Sequence, residues 1–150
     1  MEIDDFKKTV QFALEKEREA VEFYKQCSGL TIRSGMQSAF LEIAEEEQKH
    51  VGMLENFKPE HVEKVKLKEI ADLKISDYLV DMEFDPGMSY KDLLILAMKR
   101  EEKGHALYTG LAQKGGDAAV VKLFQILAQE EQKHKLRLEK EYDEAALMWN

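Results

Sequence analysis

Cysteine occurs once in the chain, at Cys27, which excludes an internal disulfide and every Cys-x-x-Cys metal or redox motif. Proline is almost as scarce: Pro59 and Pro86 are the only two, and both fall between residues 58 and 88. No apolar run approaches the ~20 residues needed to span a bilayer, the longest being Leu93 to Met98. The acidic start Met1-Glu2-Ile3-Asp4-Asp5 has none of the basic character of a secretory leader, so the expected setting is cytoplasmic, with no membrane. Positive charge is in deficit, Lys+Arg 22 against Asp+Glu 30, for a net charge of −8 at pH 7. A nucleic-acid partner or a basic membrane-surface helix needs concentrated positive charge and is not expected; cations are the more natural small partners.

What is present suits one soluble domain over residues 1–150: 44% hydrophobic and 35% charged residues in a chain of 150. Strand signals are nearly absent, and chemistry must come from Glu, Asp, His or Tyr. The breakers Gly29, Gly35, Gly115 and Gly116 and the two prolines leave four long pieces rich in Ala, Leu, Glu, Lys and Gln. These predict helices over Asp4–Ser28, Ser34–Lys58, Ser89–Lys114 and Asp117–Met148. Helices one and two form a hairpin over 4–58, and helices three and four form another over 89–148. The connection between them, about 30 residues, carries Ile70, Leu73, Ile75, Tyr78, Leu79 and Val80. It is expected to pack over a helix seam, with a helical turn near Ser76 to Val80. Two short turns and one long crossover make an all-α, ferritin-like four-helix bundle.

An internal repeat supports this plan. Glu46-Glu47-Gln48-Lys49-His50 recurs letter for letter as Glu130-Glu131-Gln132-Lys133-His134, so 84 residues separate Glu47 from Glu131. The same offset places Phe40 on Phe124, Leu54 on Leu138, Glu17 on Glu101 and Tyr24 on Tyr108.

Each helix carries an apolar stripe at steps of three or four, and each stripe is interrupted near its middle. Helix one runs Phe6, Val10, Ala13, Glu17, Ala20, Tyr24, Cys27; helix two Phe40, Ala44, Glu47, His50, Leu54. Helix three runs Leu94, Ala97, Glu101, Gly104, Tyr108, Leu111; helix four Val120, Phe124, Leu127, Glu131, His134, Leu138. Folding onto these stripes buries four carboxylates and two imidazoles. Each uncompensated buried charge costs several kcal/mol, and two divalent cations supply the missing positive charge. Residues at i and i+3 lie on one helix face, roughly 4.5 Å apart along the axis, so both members of each Glu-x-x-His pair can ligate one centre. By contrast Glu45, Glu46, Lys49, Glu130 and Lys133 read as solvated faces. Cys27 reads as a small buried hydrophobe, and Gly52 and Gly104 as sites of close helix approach. The methionines are spread out and read as filler. His105 is expected to be exposed or to lie behind the ligands, and His61 has no assigned role.

The sequence resembles the rubrerythrin-like branch of the ferritin-like di-iron carboxylate proteins. The resemblance spans nearly the whole chain and rests on Glu17 with Ala20 to Tyr24, Glu47-x-x-His50, Glu101 with Tyr108, and Glu131-x-x-His134. It implies that Glu47 and Glu131 bridge two metals, that Glu17 and Glu101 are terminal ligands, and that His50 and His134 supply nitrogen. Tyr24 and Tyr108, each two turns beyond a ligand Glu, are expected to support neighbouring carboxylates through their phenols. Where the family carries a further carboxylate three residues after the third-helix Glu, this chain has Gly104, followed by His105. One cysteine cannot build the rubredoxin centre of rubrerythrins proper, so the electron donor is expected to be an external protein.

Hard carboxylates with two imidazoles favour iron or manganese over copper, with zinc a further possible occupant, and the resemblance points to iron. The resulting expectation is an oxidoreductase with two iron ions, working as a homodimer, that reduces hydrogen peroxide or O₂. The alternative is a ferroxidase, iron-handling or iron-storage role, although the few residues after helix four speak against a self-built shell. A third reading is a purely structural or partner-binding bundle.

Overall fold

The computed structural model describes residues 3–31 and 34–146, and every regular element among them is helical. The long helices are α1 (Ile3–Leu30), α2 (Ser34–Glu55), α4 (Tyr90–Gln113) and α5 (Ala118–Ala146); between them lie the single turn α3 (Glu60–Glu63) and a 3₁₀ turn at Ile75–Tyr78. The chain divides into two compact units, Met1–His61 and Val62–Asn150.

In the first unit α1 packs on α2. Their junction is fastened by side chains reaching backbone carbonyls: Thr31 Oγ1 donates to the Cys27 carbonyl (2.8 Å), Ser28 Oγ to that of Gln37 (3.3 Å) and Gln37 Nε2 to that of Thr31. α2 stops at Glu55, three residues short of the predicted Lys58. Pro59 is the reason, since it disfavours helical backbone at the residue before it. Gly52 differs from expectation: a Cβ placed there would meet nothing within 4 Å. The residue faces open space, and no close helix approach depends on it.

In the second unit α4 packs on α5. Ser89 caps α4 by accepting from the Asp92 amide (3.1 Å), and Asp117 Oδ1 accepts from the Ala119 amide (2.9 Å) at the start of α5. The reversal between them uses Gly115 and Gly116, both at positive φ (76° and 111°), where a side chain would be strained. The predicted end of this helix at Met148 lies outside the described residues.

The crossover departs from the expected apolar packing. Tyr78 and Val80 are 88% and 80% exposed, and Leu67 and Leu73 are exposed as well. Polar side chains on successive turns of α5 hold it instead. Gln129 Oε1 accepts from the Lys68 amide, Gln132 Nε2 donates to the Ala71 carbonyl, and Lys135 Nζ donates to Asp72. Glu139, fully buried, accepts from the amides of Leu73 (3.4 Å) and Ile75 (2.7 Å). A helical turn does form where expected, shifted by one or two residues to Ile75–Tyr78.

Candidate metal centre

The predicted stripes are the buried faces. Ala13, Phe40, Leu94, Ala97, Phe124, Leu127 and Leu138 are completely or almost completely enclosed, and the six polar interruptions are enclosed with them. Glu17, Glu47, His50, Glu101, Glu131 and His134 are each no more than 4% exposed. Cys27 is a buried free thiol, as expected of a small hydrophobe. Among the residues read as solvated, Glu45, Lys49 and Lys133 are exposed, while Glu46 and Glu130 are half-buried.

In the first unit, α1 brings Glu17 and α2 brings Glu47 and His50 to one place. His50 Nδ1 lies 3.5 Å from Glu17 Oε1 and 3.4 Å from Glu47 Oε1. The second unit repeats the arrangement at the offset of the repeat, with His134 Nδ1 3.5 Å from Glu101 Oε2. In each triad, Glu17, Glu47, His50 and Glu101, Glu131, His134, one ligand atom per residue lies within 4.8 Å of the others, close enough to hold a metal ion. Two carboxylates and an imidazole suit a borderline-hard divalent cation such as ferrous iron, so the donor set fits the expected metal.

The aromatic neighbours repeat as well. Tyr24 stacks on Phe40 (centroids 6.1 Å apart, planes at 29°), and Tyr108 stacks on Phe124 (6.2 Å, 18°). Both tyrosines are buried, two turns along the helix from Glu17 and Glu101.

The sequence profile of the rubrerythrin family matches residues 8–142, nearly the whole chain. The chain belongs to the rubrerythrin family. No curated protein matches it. Among solved structures it is similar to a hypothetical protein from Pyrococcus furiosus, at 25% identity and a TM-score of 0.71, covering 99% of this chain and 96% of that one. The fold class is therefore that of the ferritin-like helical bundle, as the repeat and the long crossover predict. Rubrerythrins bind iron, and among the described residues of this rubrerythrin the buried Glu/His triads could hold a metal ion.

Gly104 lies at a close approach between helices, as its position suggests, and the group that comes close is Glu131. A Cβ there would come within 3.1 Å of Glu131 Oε2 and 3.4 Å of Glu131 Cγ. The bare backbone of α4 thus lets α5 come close enough to lay the Glu131 side chain against it. Gly104→Ala should leave the metal-free protein within about 1 kcal/mol of the parent, because the alanine gains helix propensity while Glu131 must move by a few tenths of an ångström. Metal affinity should fall roughly tenfold, as when the support of a ligand is disturbed. Equilibrium Fe(II) titration beside thermal unfolding checks both; unchanged affinity would show that the position of Glu131 is immaterial to metal binding.

In the metal-free state His50 carries a proton. Burial alone would lower its pKa, but hydrogen bonds to Glu17 and Glu47 and their negative charge outweigh burial and raise it to about 10. Between pH ~6.5, the ordinary histidine value, and about 10 the folded state therefore holds a proton that the unfolded chain has released. Metal-free stability should be greatest below that window and fall as pH rises through it. Denaturant midpoints of chelator-treated protein at pH 6 and pH 9 test this, and His50→Gln should flatten the difference. Loading metal must also expel that proton, so proton release on Fe(II) binding at pH 7.5 is expected.

Proposed function

We propose that this rubrerythrin is a di-iron oxidoreductase that reduces hydrogen peroxide, or O₂ more slowly, and is re-reduced by an external electron-donor protein. The observation that carries the reading is the duplicated buried Glu, Glu, His triad, one copy in each helical hairpin. In this reading Glu17, Glu47 and His50 of the first hairpin and Glu101, Glu131 and His134 of the second would hold the iron, the carboxylates as oxygen ligands and the two histidines as nitrogen ligands. Two ferrous ions supply, one electron each, what cleavage of a peroxide O–O bond consumes.

The protein's own contribution is electrostatic and steric. Four carboxylates match the charge of two divalent ions, and burial keeps water from competing for the ligand atoms. Tyr24 and Tyr108, buried and stacked on Phe40 and Phe124, would orient carboxylates through their phenols. A homodimer in the cytoplasm completes the proposal; no helix among the described residues is long and apolar enough to cross a membrane.

The deciding experiment loads the full chain anaerobically with Fe(II) and challenges it with equimolar peroxide or O₂, reading the remaining Fe(II) with a chromogenic chelator. Two Fe(II) oxidised per peroxide within seconds, and faster than with O₂, is the expected result. Oxidation no faster than that of free Fe(II) removes the activity. Preference for O₂ would move the protein to ferroxidase or iron storage, and size-exclusion chromatography then separates a dimer from a large hollow particle.

A further inference from the structure

Within the second unit a cavity of about 660 Å³ opens between the crossover and the α4/α5 hairpin. Leu67 and Ile70 of the crossover form its apolar wall, facing a polar wall that includes His105, Thr109, Gln129 and Gln132. His105 Nδ1 is buried there with no hydrogen-bond partner among the described residues, a condition that native structures seldom leave without a use.

Two of the amides are already oriented. Gln129 uses Oε1 to accept from the Lys68 amide, which leaves its NH₂ as a donor; Gln132 uses Nε2 to donate to the Ala71 carbonyl, which leaves its Oε1 as an acceptor. They stand one turn apart on α5, so a donor and an acceptor are presented side by side with their rotamers fixed by the crossover backbone.

We propose that this cavity binds an uncharged, planar heterocycle bearing an amide edge, the N–H and C=O pair of an imide or lactam ring. Gln129 and Gln132 read that edge, Leu67 and Ile70 cover one ring face, and His105 Nδ1 meets a polar group on the rim. Such sites combine apolar walls with a few fixed polar groups, and this volume is in the usual range. Leu67, 44% exposed, gains the cover it lacks.

The charges on the walls argue for an uncharged ligand. Asp72 is engaged by Lys135, and the lining sets Glu69 and Asp72 against Lys68, so the walls carry no net positive charge to favour a phosphate or carboxylate. Burial and the nearby Lys135 push the His105 imidazole below its ordinary range, which keeps it neutral.

Riboflavin is a suitable probe, because it is uncharged, carries the imide edge and reports binding by its own fluorescence. Titrated with metal-free full-length protein, it should show saturable quenching, with FMN binding several-fold more weakly. His105→Leu should weaken riboflavin at least tenfold, and Ala112→Phe, which fills the cavity, should abolish binding. Amide shift mapping on the parent protein, which needs no variant to fold, should confine the perturbations to Leu67, Ile70, Thr109, Gln129, Gln132 and their neighbours.

Absence of saturable binding by both riboflavin and the smaller lumichrome overturns the proposal, as does mapping to another surface. Equal binding by the two folded variants, or FMN binding more tightly than riboflavin, overturns it too. Because no iron is present, these outcomes are independent of whether the triads act on peroxide.

Discussion

Glu47→Leu is expected to abolish iron retention and, in the same protein stripped of metal, to raise the unfolding temperature. The opposite signs follow from one cause. Without metal, Glu17 and Glu47 share the single proton-bearing His50, which leaves an excess negative charge inside the first hairpin. Removing one partner of a balanced buried pair is destabilising, whereas replacing buried ionic groups whose charge is not needed for balance by apolar ones is often stabilising, by roughly 1–4 kcal/mol; here Glu17 still pairs with His50 and Glu47 is the surplus carboxylate, so about 1–2 kcal/mol is expected, or roughly 2–8 °C in a chain of this size. With Fe(II) at a thousand times its dissociation constant, the parent gains about 4 kcal/mol by linkage, and the variant gains almost none. The order of stability therefore inverts when anaerobic Fe(II) replaces chelator, a contrast that thermal unfolding reads directly. If Glu47→Leu instead destabilised the metal-free protein, the carboxylates would be serving as a structural ionic network, and the metal reading would fail with it.

Glu47, His50 and their repeats Glu131 and His134 are legible in the sequence alone. Glu47 and His50 sit on an apolar stripe, recur 84 residues later as Glu131 and His134, and no solvated face explains that placement. The helix starts at Ser89 and Asp117 were equally plain, because a capping side chain acts within three residues of its own position. What the sequence concealed depends on contacts between segments far apart in the chain. Lys135 and Glu139 look like ordinary surface charges on α5, and nothing local says that residues 68–75 will lie against them. Gly104 reads as a site of close helix approach, but which side chain comes close, Glu131, is not visible in the sequence. The crossover's apolar residues suggested burial, but its fit is set by backbone amides and carbonyls, which carry no sequence signature.

The repeat helps locate the cost of that hidden attachment. Offset by 84 residues, Lys135 corresponds to Val51, which is buried, and Glu139 to Glu55, which is exposed and pairs with Arg18 at 3.4 Å. The two hairpins diverge where the crossover lands. In α5 the Lys135 ammonium is disfavoured by burial, yet its hydrogen bond to Asp72 and the charge of Glu139 raise its pKa overall. Glu139 Oε2 lies 3.6 Å from Lys135 Nζ while also accepting from the Ile75 amide. Glu139→Leu removes an acceptor from two backbone amides and a counter-charge from a buried ammonium, so a loss of about 3–5 kcal/mol is expected. Glu55→Leu, at the matching exposed position, should stay within about 0.5 kcal/mol of the parent. Lys135→Met combined with Glu139→Leu should recover part of the loss, since no buried ammonium is then left short of a counter-charge, but not all of it, because the Leu73 and Ile75 amides still lack their acceptor and the part-exposed Asp72 loses Lys135. Denaturant unfolding of the four proteins measures these differences, and hydrogen exchange at the amides of Leu73 and Ile75 should accelerate in both Glu139 variants while remaining unchanged in Glu55→Leu. A Glu139→Leu protein within about 1 kcal/mol of the parent would mean that the crossover is held by something other than this buried carboxylate.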